Sequence, residues 1–131
     1  MSEIWDLSTT DASNNNASFG FPENMNPSAV NNNMRAILGA IKRFYDDTNG
    51  TLVSAGSSSA YTVASPNRSL TTSYSDGLVI MIQMHTACAN TATLAVDGKT
   101  AKKIMKSGAN VTLSASDILA NQICLFAYET T

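Results

Sequence analysis

The chain has few charged side chains and no long apolar run. Only 14% of its 131 residues are charged, compared with about a quarter in typical soluble domains, and eight basic residues stand against ten acidic ones. This balance offers no basic surface for a polyanion, so we expect no nucleic-acid partner. No segment reaches the apolar length of a membrane helix, so we expect no membrane insertion.

The residues needed for common catalytic and metal sites are also scarce. His85 is the only histidine, and we can assemble neither a Ser-His-Asp arrangement nor a three-histidine metal site around it. Cys88 and Cys124 each lie in an apolar stretch, which favours buried free thiols over a disulfide or a zinc site with His85. Glycine-rich phosphate loops are absent. We therefore expect no enzyme activity, no cofactor and no metal.

What the chain does contain begins with an aromatic arm. Residues 1–26 are rich in Ser, Thr and Asn and show neither helical nor strand periodicity. They also contain Trp5, Phe19 and Phe21. Three large aromatic side chains within about 20 residues are more than a solvated tail needs. We expect this arm to dock on another protein.

A single helix is expected at about residues 27–48. Asn26 is a suitable N-cap, Pro27 fits the first helical position, and Asn49-Gly50 supplies a left-handed stop. Apolar residues then recur at spacings of four and three, which predicts an apolar seam about two heptads long. The seam meets either the chain's own β domain or the helices of identical chains. Its residues are Val30, Met34, Ile37, Leu38, Ile41, Phe44 and Tyr45.

Everything after Gly50 has the pattern of short strands and turns. Residues 78–85 are apolar on both faces, so we expect a central strand covered on both sides. Asp97-Gly98 predicts a tight hairpin, and the lysines of residues 99–106 are expected on its solvated side. Strands are expected near residues 51–53, 60–64, 78–85, 93–96, 101–106, 111–113 and 122–128, with a loop at 55–59 and a helical turn at 114–121.

The predicted fold is mainly β with one N-terminal α-helix. Residues 1–26 are expected to be an extended arm, and residues 27–49 a connector and oligomerisation helix. Residues 50–131 are expected to form a compact antiparallel β-sandwich or small barrel, because six or seven short strands fall within about 80 residues.

Two parts of the chain carry a specific string of residues. The first string is Trp5-x-Leu7-Ser8-Thr9-Thr10-x-Ala12-Ser13-Asn14. The second is Phe21-Pro22-Glu23-Asn24-Met25-Asn26-Pro27-Ser28-Ala29-Val30-Asn31, followed by Met34-Arg35-Ala36. Both resemble the N-terminal segment of tail-fibre and related tail proteins of tailed bacteriophages. The β half resembles a domain that recurs in these proteins, through Tyr74-x-Asp76-Gly77, Ala92-Thr93-Leu94-x-Val96-Asp97-Gly98, Ala101-Lys102-x-Ile104 and the ending from Asp117-Ile118 to Tyr128.

This resemblance implies a structural virion protein located in the tail, fibre or baseplate. The expected state is a homotrimer, and the expected partners are other phage tail or baseplate proteins, engaged through the arm and the helix. Longer fibres continue into a shaft and a receptor-binding tip, whereas this sequence stops at Thr131, which favours a fibre adaptor or short fibre. The resemblance implies that residues 1–26 are a virion-attachment arm. The implied attachment residues are Trp5, Leu7, Phe19, Phe21, Pro22, Glu23 and Met25.

Two other functions stay open from the sequence. One is a β module that binds a host-surface glycan or receptor, with Tyr61, Tyr74 or Tyr128 as a stacking platform. Exposure of two of these tyrosines side by side on one sheet face would favour it, and burial of all three would remove its basis. The other is a capsid decoration or head-fibre protein. A small hydrolase would need a convergent catalytic set that the sequence does not supply.

Overall fold

A computed structural model of the chain describes residues 21–64, 74–106 and 111–130. These residues form one α-helix, α1 (Pro27–Thr48), followed by short β-strands, which confirms the predicted class of mainly β with one helix. The chain divides into two compact units, Met1–Tyr45 and Asp46–Thr131. The strands are β1 (Leu52–Val53), β2 (Ala55–Ser57), β3 (Ala60–Val63), β4 (Val79–Gln83), β5 (Thr93–Val96), β6 (Lys102–Lys103), β7 (Met105–Lys106), β8 (Val111–Thr112) and β9 (Ile123–Ala127).

Helix α1 begins and ends where the sequence predicts. The backbone N–H of Ser28 donates to the side-chain Oδ1 of Asn26 over 3.1 Å, so Asn26 is the N-cap. At the other end Gly50 has a φ of 79°, the left-handed conformation that stops a helix. The Oδ1 of Asn49 then accepts the backbone N–H of Thr51 over 3.0 Å. Both caps confirm the prediction.

The ends of α1 do not suit its dipole. The first turn has no acidic residue and the last turn has no basic residue. Asp46 and Asp47 lie near the C-terminus, where negative charge is unfavourable. Gly39 costs about 1 kcal/mol relative to alanine in a helix interior. The stability of α1 therefore depends mainly on what packs against it.

The first sheet, sheet A, has the strand order β1-β4-β9. β1 is parallel to β4 and β9 is antiparallel to it, so β4 is central, as predicted. Along β4, Ile80 and Ile82 are buried, whereas Val79, Met81 and Gln83 on the opposite face are only half-buried. The prediction that this strand is covered on both sides is therefore wrong, because one face of the sheet has only partial cover in the single chain.

The second sheet, sheet B, has the order β2-β3-β5-β6, and β7 pairs with β8 in a third sheet, sheet C. The pair β3–β5 is parallel, as is β1–β4, so the prediction of a wholly antiparallel arrangement is wrong. Among the described residues no sheet is closed, which gives no support to a barrel. The β region is a set of mixed sheets.

The loop predicted at residues 55–59 and the helical turn predicted at residues 114–121 are wrong, whereas the turn predicted at Asp97 is confirmed. Residues 55–59 are not a plain loop, because β2 pairs antiparallel with β3 through small residues that carry little strand signal. Residues 114–121 form turns instead of a helical turn. There Ser116 and Asn121 have φ values of 65° and 64°, which a right-handed helix does not allow. The Asp97 turn is confirmed by a 3.0 Å bond from the Lys99 N–H to the Val96 carbonyl.

The inward side chains of sheets A and B belong to one hydrophobic core. Tyr61 lies within it and donates its hydroxyl hydrogen bond to the Thr86 carbonyl over 2.9 Å. Both cysteines are free, as predicted, and Cys88 is buried. Within the described ranges no helix has the length and hydropathy needed to cross a membrane. The buried core residues are Tyr61, Val63, Ile80, Ile82, Met84, Cys88, Ala92, Leu94, Val96, Ile104, Leu113 and Ile118.

Candidate functional site

The apolar seam of α1 is exposed to solvent in the single chain. Six of its seven predicted members have side chains that are 38–59% exposed, and Ile37 is half-buried. A helix on the surface of a soluble domain normally turns its large apolar residues inward. The seam is therefore the most unusual surface of the helix. Its exposed members are Val30, Met34, Leu38, Ile41, Phe44 and Tyr45.

A second side of α1 is covered instead, and it consists of small and polar residues. Asn33, Ala40 and Asp47 are buried, and Ala29 and Ala36 are half-buried. Asn33 and Ala40 each precede a seam residue by one position, which is about 100° around the helix axis. The helix thus buries its small side and exposes its large apolar side, the reverse of the usual pattern.

No member of the exposed seam is charged. Lys42 lies beside it, with its Nζ 5.4 Å from the centroid of the Tyr45 ring. Identical helices that meet along the seam would therefore bury apolar side chains without opposing like charges. The arrangement is suited to helix–helix association.

The predicted attachment residues fall partly outside the described ranges. Trp5, Leu7 and Phe19 lie there, so their predicted role stays a prediction. The residues that follow can be placed. Phe21 is 45% exposed, and Pro22 and Glu23 are also exposed.

Met25, the last residue of the predicted attachment set, is half-buried. Its Sδ lies 4.0 Å from the Nδ2 of Asn33, on the covered side of α1. Met25 therefore contacts the helix, whereas the exposed ring of Phe21 is open to another protein.

Sheet A has an exposed apolar face that sequence reasoning missed. In β9 the side chains of Cys124 and Phe126 point to the core, so Ile123 and Leu125 point away from it. Strand pairing places Leu125 beside Met81. Residues 122–128 are mostly apolar on both sides of the strand. Their sequence lacks the alternation of apolar and polar residues that would have predicted an exposed face. We name this the outer face of sheet A, formed by Val53, Val79, Met81, Gln83, Ile123, Leu125 and Ala127.

Ser54 and His85 form a contact that the sequence also did not reveal, across 31 residues of chain. The Ser54 Oγ lies 2.7 Å from the His85 Nδ1 and accepts the His85 backbone N–H over 3.0 Å. A serine beside a histidine is the first element of a nucleophile and base pair. Ser54, however, is only 4% exposed, and its hydroxyl makes both bonds to one residue. This geometry fits a link between the ends of β1 and β4 better than a nucleophile.

Burial also raises the pKa of two side chains at the hydrophobic core, Tyr61 and Cys124. The pKa of Tyr61 is raised by burial and, to a smaller extent, by the neighbouring Cys88 and Cys124. The pKa of Cys124 is raised by burial and by Cys88. A raised pKa makes the Cys124 thiol less reactive at neutral pH. The described residues contain no cluster of three or more His, Cys, Asp or Glu side chains that could hold a metal ion.

Two of the three candidate tyrosines lie side by side at a groove of about 550 Å³ in the unit Asp46–Thr131, which we call the β unit. The ring centroids of Tyr74 and Tyr128 are 5.1 Å apart, and the Nζ of Lys102 lies 5.5 Å from the Tyr128 ring. The Tyr74 hydroxyl accepts the Val96 N–H over 3.0 Å, which ties that ring to sheet B. Tyr61, in contrast, is buried. The groove combines a half-buried aromatic pair with a cation.

The lysines of the predicted hairpin are not all alike. Lys102 and Lys103 are exposed, as predicted for the solvated side. Lys106 instead forms an ion pair with Asp117. The hydrogen bond from Lys106, followed by that from the Ser114 backbone N–H, lowers the pKa of the Asp117 carboxyl. This pair connects the end of β7 to the turn before β9.

The chain matches no protein-family model, no curated protein and no solved structure.

Proposed function

We propose that this chain is a non-enzymatic structural protein of a tailed-phage virion, a tail-fibre or fibre-adaptor protein that acts as a homotrimer. The observation that carries the proposal is the exposed apolar seam of α1, because such a surface is stable in water only when another surface covers it. The tail-protein resemblance of residues 5–36 supports the same role.

The size of the seam supports helix-mediated assembly. A large apolar side chain that is about half exposed leaves on the order of 100 Å² accessible, so the six exposed members leave on the order of 600 Å² per chain. At about 25 cal/mol per Å², covering this area contributes on the order of 10–15 kcal/mol per chain before the entropy cost of association. This contribution is of the same size as the cost of association, about 4–15 kcal/mol, so covering the seam favours assembly but does not fix its affinity.

Each part of the chain has a role in this proposal. The seams of three parallel helices meet to form the connector, and the three-fold number follows from the resemblance. The arm attaches to a tail or baseplate protein, which the exposed ring of Phe21 supports. Sheets A and B act as a small sandwich-like module, because their inward side chains share one core.

The assembly is tested by the molar mass of the full chain in sedimentation equilibrium at micromolar concentration. We expect three times the chain mass of 13.8 kDa for the wild type. Leu38→Lys places a charge in the seam and should give a monomer. Asn32→Lys is the matched control, because Asn32 is exposed on α1 outside the seam, and it should assemble normally. A monomeric wild type, or an unchanged mass for Leu38→Lys, contradicts the proposal.

The arm is tested by incorporation into virions. We expect Trp5→Ala and Phe21→Ala to lower the amount of this chain in purified particles while the circular dichroism of the β domain is retained. Val111→Ala removes an exposed apolar side chain from the β unit and serves as the control. Wild-type incorporation of both arm variants would show that these aromatic residues do not attach the chain.

A glycan-binding module is the second candidate. The rings of Tyr74 and Tyr128 lie side by side, as it requires, but both are half-buried instead of exposed. Aromatic rings at a groove stack on sugar faces, and Lys102 can donate hydrogen bonds to sugar oxygens. We expect Tyr128→Ala to abolish binding to host-surface oligosaccharides on a glycan array, whereas Tyr45→Ala on α1 leaves it intact. Absence of wild-type binding to any array member removes this candidate.

A further inference from the structure

The hydrophobic core of the β unit is closed in its middle and open at the groove beside Tyr74 and Tyr128. In β4 the inward side chains Ile80 and Ile82 are 3% and 0% exposed. In β9, the neighbouring strand, Phe126 packs against the same core but is only half-buried, and it lines the groove. Within the described residues, sheet A ends at β9 and sheet B ends at β6. The groove therefore lies where the inward face of a sheet lacks full cover at its last strand.

The groove also reaches backbone groups of β9 that sheet A leaves unused. The Tyr128 N–H donates to the Leu78 carbonyl over 2.8 Å, which makes these opposite residues a hydrogen-bonded pair. By the alternation of an antiparallel ladder, the N–H and C=O groups of Leu125 and Ala127 point away from β4. Both residues line the groove, although their side chains belong to the outer face of sheet A. They present an open backbone edge to the groove, and such an edge is a template for one more strand.

Strand β6 brings unpaired positive charge to the same groove. Lys102 and Lys103 line it, and neither makes an ion pair within the described ranges. Lys102 pairs with Leu94, so its side chain leaves sheet B on the core side, and its Nζ lies 5.5 Å from the centroid of the Tyr128 ring. Among the described residues that line the groove, Glu129 is the only acidic one. Two lysines against one glutamate favour an occupant that brings a carboxylate.

These three properties together identify the class of occupant. An open strand edge is satisfied by the backbone of an extended peptide, a mode of recognition called β-augmentation. The half-buried inward face needs apolar side chains at alternate positions of that peptide, because successive side chains of a strand point to opposite sides. An acidic side chain of the peptide can pair with Lys102. A glycan would use the rings of Tyr74 and Tyr128 but would leave the backbone edge of β9 open.

We infer that the groove binds an extended, acidic segment of a partner protein, which adds to β9 as a further strand of sheet A. The five residues of β9 span about 17 Å, so a segment of about five residues matches the edge. The added strand completes the inward face at Phe126 and places its carboxylate near Lys102. The site lies wholly within the β unit, so the inference does not depend on association through α1.

The test begins with a displayed library of random short peptides, selected for binding to the full chain. The selected peptides should carry apolar residues at alternate positions and at least one acidic residue. Fluorescence anisotropy of a labelled, selected peptide then gives its affinity. Lys102→Glu should weaken binding at least about 10-fold, whereas Lys99→Glu, at a lysine outside the groove lining, should stay within about 2-fold of the wild type.

Proline variants test whether the peptide binds as an added strand. Leu125→Pro removes an N–H that points away from β4, so it spares the β4–β9 ladder and should weaken binding at least about 10-fold. Leu125→Val keeps this N–H and an apolar side chain, and it should bind like the wild type. If Leu125→Pro lowers the urea midpoint, Ala127→Pro repeats the test at the next outward-pointing N–H.

Selection of peptides without a common pattern, or wild-type affinity of a folded proline variant, overturns the inference. Binding of an oligosaccharide but of no peptide also overturns it and assigns the groove to a glycan. Preferred binding of a peptide of residues 1–20, which contains Glu3, Asp6 and Asp11 and no basic residue, would assign the groove to the arm of another copy instead. None of these results changes the expected molar mass, so the proposed assembly through the seam is tested separately.

Discussion

Helix α1 and the β unit bury opposite kinds of side chain. In the β unit the most deeply buried residues are large, among them Ile82 and Met84 at 0% exposure. In α1 the buried positions are Asn33, Ala40 and Asp47, and the large apolar residues face solvent. The β unit therefore contains its own folding core, whereas α1 carries an exposed apolar surface that we propose is covered by another copy of the chain.

Truncating an isoleucine should lower the stability of the β unit but not when the isoleucine lies in the seam of α1. This difference is the largest expected effect. Ile82→Ala leaves a cavity in the core of β4 and should lower the free energy of unfolding by about 2–5 kcal/mol. Ile41→Ala, in the exposed seam, should leave the urea midpoint of the β unit nearly unchanged and weaken only assembly. Equal losses of stability in the two variants would erase the distinction between the regions.

The junction between the regions gives the next largest effect. Gly50→Ala places an alanine in a left-handed backbone conformation, and its Cβ would also crowd Ile123 and Met81. Gly77 has a similar φ of 78°, but a Cβ added there would meet nothing within 4 Å. Gly77→Ala should therefore cost about 1 kcal/mol and Gly50→Ala about 1–3 kcal/mol more. Urea unfolding of both variants measures the difference. Equal costs would show that the contact of Gly50 with the outer face of sheet A is loose.

The N-cap tests the dependence of α1 on its own sequence. Asn26→Ala removes the side-chain acceptor of the Ser28 N–H and should destabilise the helix by about 1 kcal/mol. Assembly should weaken in parallel while the β unit keeps its urea midpoint. Asn32→Ala is the control, and its helix content should rise or stay constant because alanine favours helix. Circular dichroism of a Leu38→Lys background separates helix content from assembly.

The smallest effect concerns acid stability in the β unit. The pKa of Asp117 is lowered from its ordinary value of 3.8, so its ion pair stabilises the fold above that value and is lost as the pH falls through the lower folded pKa. The urea midpoint of the wild type should therefore fall below about pH 4, and Asp117→Asn should reduce that fall. An identical pH profile for the two proteins would show that the Lys106 contact adds nothing measurable.

Local signals in the sequence predicted α1 well. Asn26, Pro27 and Gly50 fix its ends through capping and backbone geometry, which depend on neighbouring residues alone. The seam residues were predicted from their spacing, and six of them are exposed together on one side. Whether that side was covered by the same chain could not be predicted, because periodicity identifies a face and not its partner.

The β unit shows where local signals end. The strands around Ile82 and Leu125 were predicted from their apolar residues, but the parallel pairings and the exposed side of β9 depend on contacts distant in sequence. The contact between Ser54 and His85 and the ring pair of Tyr74 and Tyr128 arise in the same way. No spacing rule predicts such pairs, since the intervening turns decide which strands become neighbours.

The most direct measurement of the central claim is immunogold electron microscopy of the intact virions, with an antibody raised against this chain. A structural tail protein should give label confined to the tail, fibre or baseplate. The same label should be lost from particles assembled with the Leu38→Lys chain, which cannot associate through the seam. Label on the capsid would instead assign the chain to head decoration, and virions without any label would contradict a structural role in the particle.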